Sequence, residues 1–241
     1  TCNKPCVRLY NLLDVMNKTP DIYNQTKLDY EECEIAATIS YTVKSDIRKK
    51  FQTNKEINVI GFPIRDKITY KHYSVLGVPF LYVGRVLDPN KRIGLIKPTL
   101  DKLGFNSENM VFVGPDRAPF GFETGILSDD DLCEIYNCAD FLFLPSEREG
   151  LGMTAIEGVI GNCHIIGCSD NPIFNELGLS EFTATPHPAA LTQLVNKIQK
   201  NYPYYKNILD KLRPKFLAEY TVEAVVKKML NLYKEYINEN Q

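Results

Sequence analysis

The sequence predicts an α/β protein: a parallel sheet with helices on both faces, followed by a helical C-terminal tail. Three observations carry this. The strand-like runs are continuously apolar rather than alternating, as strands buried on both faces are. Nearly all of them stop at glycine or proline, and they alternate with helical stretches, which is the pattern of βαβ units.

The elements follow in order. Helical stretches are expected around 7–16 and 24–36. A β-type run, Ala37-Thr38-Ile39-Ser40-Tyr41, comes next, then a charged helix at about 43–51. Ile57-Asn58-Val59-Ile60 is a strand ended by Gly61-Phe62-Pro63. From residue 78 the rhythm sharpens. Pro79-Phe80-Leu81-Tyr82-Val83 is an apolar strand that stops at Gly84-Arg85. A helix follows over 93–103, with Pro98 an awkward guest inside it. Met110-Val111-Phe112-Val113 is the next strand, and Ser128 caps a helix over 129–138 whose first residues, Asp129-Asp130-Asp131, complement the helix dipole. Phe141-Leu142-Phe143-Leu144 ends at Pro145, a helix covers 152–160, and His164-Ile165-Ile166-Gly167 is another strand. Helices at 187–201, 204–218 and 221–237 close the chain.

Composition narrows the classes. The 241 residues suit one large domain, or one domain and a fragment, and 44% hydrophobic with 24% charged residues is ordinary for a globular chain. A net charge of -2 argues against a nucleic-acid binder. No apolar run of about 20 residues would span a membrane, and no signal peptide is visible. The chain starts at Thr1, as a trimmed chain or one that has lost its initiator Met would. Its seven cysteines include no C-x2-C pair, so they read as reduced small hydrophobes, which favours the cytoplasm. His164 reads as a core histidine, His72 and His187 as surface residues. No metal-ligand spacing, G-x-S-x-G or P-loop occurs. Tyr202, Tyr204 and Tyr205 look like an exposed aromatic cluster, either packing between helices or forming an interface.

Ligands of open α/β sheets bind at the carboxyl ends of the strands. After the strand at 79–83 come Gly84 and Arg85, then Lys91 and Arg92. After the strand at 141–144 comes Pro145-Ser146-Glu147-Arg148-Glu149-Gly150-Leu151-Gly152-Met153-Thr154, opening a helix that carries Glu157. Gly150 and Gly152 let backbone approach a ligand. The following helix N-terminus suits a phosphate. Arg85 and Lys91 suit a diphosphate, and Glu149 and Glu157 can accept hydrogen bonds from sugar hydroxyls. The apolar neighbours of Glu157 imply a partly buried, paired carboxylate.

These residues resemble glycosyltransferase family 4, the retaining GT-B group. Tyr82-Val83-Gly84-Arg85-Val86 with Lys91 is similar to its "GR…K" diphosphate segment. Gly125-Ile126-Leu127-Ser128-Asp129-Asp130-Asp131-Leu132, continuing to Ala139-Asp140-Phe141-Leu142-Phe143-Leu144-Pro145-Ser146, resembles its approach to the site. Glu149 to Gly158 resembles its E-x7-E motif, and Tyr220 to Tyr233 its closing helix. The likeness covers roughly 78–235. Two departures stand out: Arg92 follows Lys91 where the family often has glycine, and only about 65 residues precede the match, without the glycine-rich loop usual there.

The resemblance implies a Rossmann-like GT-B sheet with a reduced or truncated acceptor-side domain at 1–66, a donor-binding domain at 67–220, and a C-terminal helix at 221–241 packing back toward the N-terminal part. It implies a hexosyltransferase that moves sugar from a nucleotide diphosphate sugar to a hydroxyl, with retention and without a metal or other cofactor. Arg85, Lys91 and Glu149 would carry catalysis, the first two holding the diphosphate. Gly84, Gly125, Ile126, Gly150, Leu151, Gly152, Met153, Thr154 and Glu157 would bind the donor, Glu157 through the ribose. Acceptors would be sugars, lipid-linked sugars or proteins, compatible with peripheral membrane association or with a partner supplying the acceptor domain. Alternative readings are a non-catalytic nucleotide-sugar-binding subunit and a nucleotide-sugar epimerase of the same fold.

Overall fold

The computed structural model describes residues 9–12, 20–69 and 78–239. The chain divides into two units, Thr1–Pro63 with Glu219–Gln241, and Ile64–Ala218.

The first unit opens with β1 (Leu9–Leu12), α1 (Pro20–Glu32), β2 (Ile35–Thr38), α2 (Tyr41–Phe51) and β3 (Asn58–Val59). The strands form a parallel sheet in the order β1-β2-β3, with Leu9 opposite Ile35 and Ala37 opposite Asn58. In α2 the buried residues Val43, Ile47 and Phe51 recur every four positions, so one stripe of the helix faces the core. Ser40 caps it by accepting from the Val43 N–H at 3.1 Å.

Two expectations are corrected here. Residues 9–12 of the expected helix at 7–16 are β1, and the rest of that stretch lies outside the described residues. Periodicity does not separate a short apolar run in a helix from one in a buried strand, and pairing with β2 decides it. The helix expected at 24–36 begins instead at Pro20, where the missing N–H costs nothing, and ends at Glu32. Ile35 to Thr38 are all buried, and they form β2.

The second unit runs β4 (Val78–Val83), α3 (Ile96–Leu103), β5 (Met110–Val113), β6 (Phe122–Glu123), α4 (Asp129–Cys138), β7 (Ala139–Leu144), α5 (Met153–Ile160), β8 (His164–Cys168), α6 (Ile173–Glu176), β9 (Thr183–Ala184), α7 (Pro188–Lys200) and α8 (Tyr202–Tyr220). Its sheet has six strands, all parallel, in the order β6-β5-β4-β7-β8-β9. The centre is aromatic. Phe80 on β4 lies 5.4 Å from Phe141 and 5.6 Å from Phe143 on β7, and 4.9 Å from Phe105 beyond α3. Burial on both faces explains why these strands read as unbroken apolar runs.

Pro98 is not a breaker after all. A 3-10 turn over Ile93–Leu95 precedes α3, so the proline sits in the first turn, where its missing N–H would have had no partner within the helix. The Ser128 cap of α4 is as expected: its Oγ accepts from the Asp131 N–H at 3.2 Å. The tail completes the first unit with α9 (Val222–Glu239).

Candidate functional site

In the second unit the chain leaves β4 toward β5 on one side and returns to β7 on the other. Loops after β4 and β7 therefore diverge over a crevice at the carboxyl edge of the sheet. Of the residues singled out from sequence, Lys91 and Glu149 meet across these two loops.

The loop after β4 is built on close backbone contact. The Gly84 N–H donates to the Val113 carbonyl at 2.9 Å, carrying the β4–β5 ladder one residue further. Gly84 has φ +146, a conformation side-chain-bearing residues rarely adopt. Asp116 then shapes the turn by accepting from the Val86 and Leu87 N–H groups, at 2.8 and 3.3 Å. The Tyr82 hydroxyl donates to the Arg85 carbonyl at 2.9 Å. Burial, helped by nearby carboxylates, pushes that phenol well above its ordinary range. Arg85 is exposed, with its guanidinium 3.0 Å from Asp88.

Asp88 also caps the 3-10 turn Pro89–Lys91, its side chain accepting from the Asn90 N–H at 3.0 Å. Three successive residues of this segment then hold the loop after β7. Asn90 accepts from the Glu147 N–H through its backbone carbonyl (2.9 Å) and from the Arg148 N–H through Oδ1 (3.0 Å), and its Nδ2 donates to the Arg148 carbonyl (2.8 Å). Lys91 Nζ donates to Glu149 Oε1 at 2.6 Å. Arg92 pairs with Glu147 at 3.2 Å and with Asp170, beyond β8, at 2.8 Å.

Arg92 has φ 48 and ψ 40, the left-handed region. The position at which the resembled family often carries glycine is thus one that glycine suits. Removing the side chain loses both ion pairs, so Arg92→Ala and Arg92→Gly share that loss. The glycine variant escapes the left-handed strain, and we expect it to be more stable than Arg92→Ala by about 1 kcal/mol in urea unfolding. An alanine variant as stable as the glycine variant would contradict the left-handed backbone.

Three residues beyond Glu149, Gly152 is the N-cap of α5, with φ 74 and no side-chain cap, and its carbonyl accepts from the Ala155 and Ile156 N–H groups at 2.8 and 3.0 Å. Leu151 is buried, while Gly150, Met153 and Thr154 are partly exposed around it. Gly125 (φ +71) and Ile126 (80% exposed) follow β6. The Gly125 carbonyl accepts from the Gly114 N–H at 3.1 Å.

Glu157 is only 1% exposed. Arg65 Nη1 donates to both its oxygens, at 2.7 and 2.9 Å, and the Tyr136 hydroxyl donates to Oε2 at 3.1 Å. Arg65 Nε also meets Asp129 at 3.1 Å. Burial pushes the Glu157 carboxyl up, Arg65 and Tyr136 pull it back, and the net position stays above the ordinary carboxylate value. The paired carboxylate expected from its apolar neighbours is present. Its partners, with Arg65 92 residues away in the chain, carry no signal in the sequence.

Tyr205 is fully buried against Phe182, so the expected tyrosine cluster is exposed only at Tyr202 and Tyr204. His164 is buried with Nδ1 3.3 Å from the Asp140 carbonyl, and burial lowers it to about 4, but Nε2 has no hydrogen-bond partner among the described residues. His187 is an exposed cap of α7, and His72 lies outside the described residues. Cys33, Cys133, Cys138, Cys163 and Cys168 are free thiols. Among the described residues no helix is long and apolar enough to cross a membrane, and no group of three His, Cys, Asp or Glu could hold a metal ion.

Sequence comparison finds no family model and no curated protein that matches the chain. Solved structures do match. Sucrose-phosphate synthase from Thermosynechococcus elongatus superposes with a TM-score of 0.78 at 15% identity, over 96% of this chain and 68% of that one. A glycosyltransferase from Rickettsia africae ESF-5 gives 0.74 at 17% identity, over 95% of this chain and 70% of that one. Anabaena HepE in complex with UDP-glucose gives 0.76 at 12% identity, over 94% and 72%. With its parallel six-stranded sheet flanked by helices, the chain has the fold of the GT-B glycosyltransferases.

Proposed function

We propose that the crevice binds a nucleotide diphosphate sugar and that the chain transfers its hexose to a hydroxyl acceptor with retention. The observation that carries this is the Lys91–Glu149 pair, 2.6 Å apart at the switch point and beside the uncapped start of α5. A cation and a carboxylate so placed suit a diphosphate beside a sugar, and a protein solved in complex with UDP-glucose shares the fold. In the step envisaged, the bond from the anomeric carbon to the β-phosphate oxygen breaks while the acceptor oxygen bonds to that carbon on the same face. The acceptor proton passes to the departing phosphate. Arg85 and Lys91 stabilise the charge that builds there, so no metal is required. Glu149 meets the transferred sugar. Residues 1–66 serve the acceptor in this reading.

The test is a thermal-shift screen with UDP-, GDP- and ADP-sugars in the presence of EDTA, wild type beside Arg85→Ala and Lys91→Ala. A donor at a hundred times its Kd should stabilise the wild type by about 2.7 kcal/mol, with both variants losing most of the shift. Absence of a shift with every nucleotide would overturn the reading. A shift that both variants keep would place the ligand elsewhere.

A further inference from the structure

Lys91 and Glu149 come from different loops, and nothing in either loop alone fixes their separation. The segment from Ser146 to Leu151 has no regular structure, so its backbone groups need partners from outside. Asn171 Nδ2 donates to the Ser146 carbonyl at 3.1 Å, and Asn90 serves the next two residues. Its backbone carbonyl and both polar atoms of its side chain bind Glu147 and Arg148, the two residues just before Glu149, in three bonds of 2.8–3.0 Å. A carboxamide is the side-chain group that reproduces a peptide's donor and acceptor together, so Asn90 pairs with the loop as a neighbouring strand would. Lys91 is the next residue in the chain.

We propose that Asn90 is the positioning residue of this site: it locks the loop after β7 to the turn after β4 and so sets Lys91 against Glu149. The positioning stands on these contacts, and its meaning for catalysis rests on the donor-site reading above. Asp at this position keeps the acceptor for the Arg148 N–H but loses the donor and sets a charge against the Arg148 carbonyl. Ala loses both side-chain bonds.

The experiment is a double-mutant cycle that needs no substrate. Tm is measured for Lys91→Met, Glu149→Gln and the pair, in the wild-type background and in Asn90→Ala. In the wild-type background the double variant should lose less than the sum of the singles, by about 2–4 °C, because the second removal breaks no further contact. In Asn90→Ala the losses should add, with Asn90→Asp falling between. A merely structural role lowers every Tm alike and leaves the non-additivity intact, and that result would overturn the proposal. Should Asn90→Ala fail to fold, the Asn90→Asp background decides alone: undiminished coupling overturns the proposal and reduced coupling supports it. UDP-glucose added to the same samples separates the two readings. Coupling that depends on Asn90, with no wild-type shift from UDP-glucose or from the GDP- and ADP-sugars added in the same way, supports the positioning role while the donor reading fails.

Discussion

Arg65→Ala is expected to lower the free energy of unfolding by about 2–3 kcal/mol at pH 7. Removing one partner of a buried pair strands the other charge, which typically costs about 3–5 kcal/mol. The lower figure applies because the Arg65 side chain is 40% exposed, so water already screens part of the pair. Tyr136 remains as a donor to Glu157, but one neutral hydroxyl does not replace two charge-assisted bonds. The loss should also depend on pH, with a definite sign. The Glu157 carboxyl already sits above its ordinary range through burial, and without Arg65 it rises further. The folded variant then keeps its proton to a higher pH than the unfolded chain does. Its stability is intact below the unfolded carboxylate value of about 4.3 and falls as pH rises through the folded value. Urea unfolding of wild type and variant at pH 5 and pH 7 should show the smaller penalty at pH 5. Equal penalties at the two pH values would mean that Glu157 does not depend on Arg65 for its charge.

Gly114→Ala is expected to be costly for a different reason. A Cβ built on Gly114 collides with the Gly84 carbonyl oxygen and lies 3.1 Å from its carbon. The obstacle is backbone, so no rotamer change relieves it. Gly84 is in turn tied to Val113, and the strand end must shift, taking Arg85 with it. Overpacking of this kind costs about 1–3 kcal/mol, and a backbone obstacle belongs in the upper half. Gly94→Ala is the matched control, since a Cβ there meets nothing within 4 Å, and its effect should stay within about 0.5 kcal/mol. If the two alanine variants unfold at the same denaturant concentration, the packing of β4 against the end of β5 is not as described.

The strands most legible in the sequence are those whose neighbours leave them no choice. β4, β7 and β8 are buried on both faces, and each appears as an apolar run closed by glycine, proline or a polar turn. α4 is legible from Ser128 and the three aspartates because caps are local chemistry. The edge strands β6 and β9 are not legible: two residues each is too short for a period, and only pairing with β5 and β8 defines them. β1 reads as a helix because a four-residue stretch takes its form from β2 rather than from its own pattern. At the site, ordered motifs are enough to name Lys91 and Glu149. Their separation, the Asn90 contacts and the Arg65 partner of Glu157 depend on where distant loops meet. Arg92 is an intermediate case, since its place in a glycine-favouring turn marks it as unusual and only its backbone angle says why.

The strand order of the second unit has a consequence for synthesis. β4 is central in the sheet and yet first of its strands to leave the ribosome, while its second neighbour β7 follows only after β5 and β6. Translation at about 5–20 residues per second means that β7 emerges roughly 3–12 s later, the time needed for about 60 residues. Throughout that interval one flank of an apolar strand has no mate, and a nascent chain in that state is open to mispairing with its neighbours on a polysome. The arrangement that places the crevice at the middle of the sheet therefore also fixes the moment at which the growing chain most needs protection.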